Sequence, residues 1–127
     1  MIEAKSLRLE NKVLYEGKIC TVNNLFENNI RVKEHSIYHQ SSHESHYEGV
    51  PVTPDILEKC GFEKKKDPSA LIYYERNSLK LAWYEGKLER ISITEIVTTV
   101  YYPEYKYLHQ IQNLYFILTG EEFEINL

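Results

Sequence analysis

The stretch "KVLYEGKICTVNNLFENNIRVKE", residues 12–34, decides how this chain is read. Val13 and Tyr15 stand two apart before Glu16-Gly17. After it, Ile19, Thr21 and Asn23 alternate with Cys20 and Val22, which is the period of a strand. Glycine takes positive φ at little cost, so Glu16-Gly17 predicts a tight hairpin turn. Asn28-Asn29 predicts a second turn, because asparagine tolerates the left-handed region, and Ile30, Val32 and Glu34 then begin a third strand. Residues 12–34 are therefore expected to form a three-stranded meander.

Working outward, "YEGK" returns at Tyr84–Lys87, and a partial copy, "YEGV", occupies Tyr47–Val50. The flanks share only apolar character and the separations are unequal, so these are similar turns and not a repeat. Residues 1–10 form a lead-in to the sheet edge. Residues 35–50, rich in His and Ser, are expected to be a polar loop. In "VPVTPDILEKCGF", Thr53 is an N-cap, Pro54 the first helical residue and Gly61 the stop. Ile56, Leu57 and Cys60 would be the buried stripe of that short helix. Lys64-Lys65-Lys66, flanked by Glu63 and Asp67, reads as a solvated loop.

Strands resume at "ALIYYER" and turn at Arg76-Asn77. "SLKLAWYE" alternates with Leu79, Leu81 and Trp83 on one face, which predicts a buried Trp83. "LERISI" and "TEIVTTVYY" follow, and Pro103 ends the ladder. Pro103 and Glu104 are expected to open a longer helix that Gly120 closes. Its inward stripe would be Leu108, Ile111, Tyr115 and Leu118, widened by Tyr107 and Leu114, with His109 on the surface. Phe116 and Ile117 fall off that stripe, so the second half of the helix is apolar nearly all round. Burial on two sides within the monomer is the first expectation, and the two are candidate interface residues if the helix covers a partner. "EEFEINL" is expected to be a short strand or an extended tail.

The fold class expected is α+β: two antiparallel β meanders with one short and one longer C-terminal helix. The 127 residues fit a single domain, 1–127, that can bury roughly two thirds of its unfolded surface. Eleven tyrosines against four phenylalanines suit half-buried strand faces, since the ring is apolar and the hydroxyl can stay wet. A net charge of −4 without a basic stripe disfavours nucleic acid. No apolar run reaches the ~20 residues of a membrane span, and Met1–Glu10 lacks the apolar segment of a leader. Two distant cysteines, Cys20 and Cys60, fit reduced thiols in a cytoplasm.

The block "YLHQIQNLYFILTGEEFEI", residues 107–125, resembles the end of a group of uncharacterised small proteins from genomes and prophages of gut Bacteroidetes. These share a "HQLQNLYFALTGEEL"-like block. Val13–Val22 is similar to their "V-x-Y-x-G-K-x-x-x-V" start, and Val50–Phe62 to their "I-P-L-T-P-E-I-L-E-K-C-G-F" middle. The likeness spans roughly half the chain and leaves residues 35–47 and 64–102 unmatched. It implies a phage or mobile-element context and no mechanism. The N-terminal meander also resembles the start of small SH3-like barrels.

No catalytic residue is assigned. There is no G-x-S-x-G, no phosphate-cradling glycine loop and no cysteine close to a histidine. His35, His39, His43 and His46 could supply imidazoles to zinc or nickel, but no carboxylate or thiol completes the set and the serines favour a loop. No cofactor and no metal are expected. The function expected is a non-enzymatic protein-interaction module, with a protein partner or self-association. The alternative is a nucleic-acid-associated accessory protein that stacks bases on tyrosines of a small barrel-like surface.

Overall fold

A computed structural model of the chain describes residues 1–34, 41–66, 68, 72–77, 79–84, 86–93, 98–101, 106–123 and 125, with backbone only for 98–101. The α+β class and the two antiparallel meanders are present. Contacts divide the chain into two compact units. The first comprises Met1–Pro51 with Tyr107–Thr119, and the second Val52–Lys106 with Gly120–Leu127.

In the first unit, β1 (Lys12–Tyr15), β2 (Lys18–Phe26), β3 (Asn29–Val32), β4 (Ser42–His43) and β5 (Tyr47–Gly49) form an antiparallel sheet. Its order is β4-β3-β2-β1-β5. Glu16 and Gly17, at φ +51 and +78, are both left-handed, as a two-residue turn between twisted strands requires. The next turn falls at Glu27-Asn28 and not at Asn28-Asn29: Glu27 carries the positive φ, +53, and Asn29 already pairs with Phe26. A bulge at Asn23 shifts the β2–β3 register. Val13, Cys20, Val22, Ile30, Val32 and Tyr47 are buried with Ile2, Ala4 and Leu7 as one core. The Tyr47 hydroxyl donates to the Ile30 carbonyl at 2.8 Å, so this buried tyrosine satisfies its polar end.

The loop expected over 35–50 is corrected for its described part. Residues 42–49 hold β4, a single 3-10 turn at Glu44–His46, and β5, which pairs with β1. The third YEG motif is thus a strand. Tyr47 and Gly49 are buried and Glu48 is exposed, which is a two-residue period hidden by polar flanks. The lead-in contributes a 3-10 turn at Ala4–Ser6 and bonds to the edge strand β5, Ile2 N–H to the Tyr47 carbonyl and the Met1 ammonium to the Glu48 carboxylate.

In the second unit, α1 (Pro54–Lys59) starts as expected, with Thr53 Oγ1 accepting from Ile56 N–H at 3.2 Å. Gly61 at φ +85 closes it, and Phe62 N–H returns to the Leu57 carbonyl. Leu57 and Cys60 are buried, Ile56 only partly. The sheet, in the order β10-β9-β8-β7-β6, comprises β6 (Glu63–Lys66), β7 (Ile72–Arg76), β8 (Leu79–Tyr84), β9 (Lys87–Ile93) and β10 (Thr98–Tyr101). The lysine run is therefore an edge strand and not a loop, held by pairing with β7. Phe62 and Phe123 meet edge to face at 5.7 Å between centroids. Residues 121–123 join no strand.

Trp83 shares the face of Leu79 and Leu81 and meets Tyr74 edge-on, yet it is half-buried and not buried. It forms the last pair of the β7–β8 ladder, opposite Ile72, beside a register shift against β9. There, neighbours cover only part of a large ring. The final helix, α2 (Leu108–Thr119), begins five residues later than Pro103 suggests. Tyr107 bridges Pro51 and Leu108 N–H donates to the Val50 carbonyl, so the strand contact delays the helix. No helix among the described residues is long and apolar enough to cross a membrane.

Candidate functional site

The surface of interest is the outward face of α2, in the first unit. Leu108, Ile111, Gln112 and Tyr115 are buried, the i, i+3, i+4, i+7 set of one helix face, and α2 lies against β1. Leu114 and Leu118, expected on the inward stripe, are half-exposed, and Tyr107 is exposed. Phe116 is 37% exposed and Ile117 78%, so the two candidate interface residues stand adjacent on the open side. The Arg8 guanidinium lies over the Phe116 ring at 4.2 Å, and its Nε donates to Asn113 Oδ1 at 3.2 Å. Leu9, next in the chain, is also exposed. A cation over a ring is worth roughly 0.5–1 kcal/mol at such a site, and with Arg8 over one face of the ring Phe116 is still exposed.

Polar side chains under this face fix the helix on the sheet. Gln112 Oε1 accepts from Lys12 N–H at 2.8 Å, and its Nε2 donates to the Glu10 carbonyl at 3.2 Å. Asn11, fully buried, accepts from Arg8 N–H and donates to Asn113 Oδ1 at 2.8 Å. The backbone leading into β1 is thus bonded on one side by Val22 and on the other by amide side chains of α2. Gln112 occupies the stripe position four residues after Leu108, and periodicity alone could have found it. Asn11 carries no such signal. Gln112→Ala leaves the Lys12 N–H and the Glu10 carbonyl without this partner. Urea unfolding should show a loss on the order of 1–3 kcal/mol.

His109 was expected on the surface, and this is corrected: it is buried, at 3% exposure, and stacks on Tyr107 with ring centroids 5.9 Å apart. Among the described residues its Nδ1 has no hydrogen-bond partner. Burial pushes its pKa down from 6.5 to about 4, so it is neutral near pH 7. The helix turns His109 inward beside Leu108 and Gln112, which no local sequence pattern marks.

Of the four imidazoles weighed as metal ligands, His35 and His39 lie outside the described residues. His43 is exposed, and its Nδ1 accepts from Ser45 N–H at 3.1 Å, as a cap of the 3-10 turn. His46 is exposed at the end of that turn. Among the described residues no three metal-capable side chains gather. Cys20 is buried mid-strand, and desolvation followed by the Glu34 charge raises its pKa, which keeps it a thiol and a poor nucleophile.

Within the second unit an open polar cleft of about 360 Å³ is lined by Gly61, Glu63, Lys65, Glu75, Arg76 and Asn77. Lys65 and Glu75 pair across it at 3.1 Å. Arg76 donates to the Cys60 carbonyl. These contacts tie charge to charge and side chain to backbone, and they present no nucleophile or proton-transfer pair.

No protein-family model, curated protein or solved structure matches this chain.

Proposed function

We propose that the protein is a non-enzymatic interaction module, cytoplasmic and of the phage or mobile-element accessory type, that holds a protein partner on the outward face of α2. The observation that carries this is the adjacent exposure of Phe116 and Ile117 on a helix whose other face is buried. Apolar side chains placed side by side gain by leaving water together. Arg8 and Asn113 hold the Phe116 surroundings in one arrangement, which lowers the ordering cost of binding.

The nucleic-acid reading has less support. One face of the second unit's sheet carries Lys65, Tyr73, Lys80 and Arg90, with Lys80 over the Tyr73 ring. Glu63 and Glu75 stand on that same face, and Glu75 neutralises Lys65. A phosphate chain would meet carboxylates as well as cations there.

Phe116→Ser with Ile117→Ser tests the proposal. The double variant should keep the far-UV circular dichroism and the unfolding curve of the parent. It should also lose the self-association or partner complex that sedimentation and cross-linking detect with the parent chain. Unfolding of the variant would place both side chains in the core, and an unchanged complex would place the partner elsewhere.

A further inference from the structure

We propose that the outer edge of β6 is a second docking surface, which takes an acidic peptide in extended conformation as a sixth strand of the second unit's sheet. β6 is the terminal strand of its sheet, and all four of its residues are exposed. A terminal strand presents backbone N–H and C=O groups without a ladder partner, and an extended chain of any sequence can complete them. Choice of partner then rests on the side chains. Residues two apart share a face, so Lys64 and Lys66 stand together on one side of β6, and Glu63 and Lys65 on the other. Lys65 is engaged by Glu75 across the β6–β7 pair. Among the described residues Lys64 and Lys66 have no ion-pair partner.

Two unpartnered cations at i and i+2 match carboxylates at i and i+2 of an incoming strand, because directly opposed charges on paired strands interact. The same lysines oppose a second copy of this chain. In the antiparallel register centred on Lys65, Lys64 of one copy meets Lys66 of the other on the same face, and like charges so placed repel. Four residues span roughly 13 Å of strand, enough to align a short acidic segment and too little for tight binding.

The test uses the full chain, ¹⁵N-labelled, with the acetylated peptide Thr-Glu-Val-Glu-Thr-Glu, its lysine analogue, and a single-stranded oligothymidine. The acidic peptide should slow amide exchange within Glu63–Lys66, and should bind more weakly as salt is raised. Lys64→Glu with Lys66→Glu should weaken it about tenfold or more, as two reversed exposed pairs imply. Lys64→Gln with Lys66→Gln should fall between, which keeps the test informative if the reversed variant misfolds. Equal binding of the lysine analogue would overturn the proposal, as would slowed exchange only outside β6. Binding of the oligothymidine but not of the peptide would assign the lysines to phosphate. Protection of β6 that rises with protein concentration alone would assign the edge to a second copy.

Discussion

Ile111→Ala is expected to lower the stability of the first unit by roughly 2–5 kcal/mol, the range for truncating a fully buried aliphatic side chain. Ile111 is completely buried on α2, between the buried Leu108 and Tyr115. The truncation loses the transfer free energy of the removed carbons and leaves a cavity that the sheet cannot fill without moving β1. Urea unfolding followed by far-UV circular dichroism would measure the loss, and amide exchange of β1 and β2 would place it. Leu114→Ala is the control. Leu114 is half-exposed, so its truncation should cost less than half as much. Equal losses at the two positions would mean that the inward stripe is drawn wrongly.

The second large effect is one of pH. His109 is held neutral by burial, with its pKa near 4 against 6.5 when exposed. Above about pH 6.5 the ring is neutral in both folded and unfolded chains, and its contribution to stability is fully present. As pH falls from 6.5 towards 4, the unfolded chain binds a proton that the folded one refuses. Stability then drops by about 1.4 kcal/mol per pH unit, on the order of 3 kcal/mol in all. Carboxylates titrate in the lower part of this window, so the measurement is a difference. Denaturant midpoints of the parent chain and of His109→Gln, taken from pH 7 to 4, should diverge, with the parent losing stability faster. Parallel curves would show that His109 is solvated and can carry its charge in the folded chain.

Strand types, the hairpin at Glu16-Gly17 and the start and stop of α1 could be read from residues because each depends on neighbours in sequence. Glycine at positive φ, threonine before proline, and a period of two act within a few residues. That Phe116 and Ile117 miss the inward stripe was legible for the same reason, but their exposure was not, since only the packing around α2 tells a helix buried on two sides from one with an open face. The failures share a cause as well. The YEG of residues 47–49 becomes a strand because β1, far away in sequence, offers it a ladder. Lys64–Lys66 becomes a strand against β7 in spite of its charge, and α2 starts late because Val50 and Pro51 take the backbone of Leu108 and Tyr107.

By itself, the sequence determined the α+β class, the two antiparallel meanders, the start of the first helix and the glycines at which both helices end. Those follow from backbone preference and hydrophobic period, which are local. Only the tertiary structure decided that the chain makes two compact units, with α2 assigned to the first although the second unit's sheet precedes it. It also decided that His109 is buried and neutral, that Gln112 completes the hydrogen bonding at the entry to β1, and that a lysine-rich strand ends a sheet. Each of these is a contact between residues distant in the chain. Its free energy comes from desolvation and from partners that no window of neighbouring residues contains.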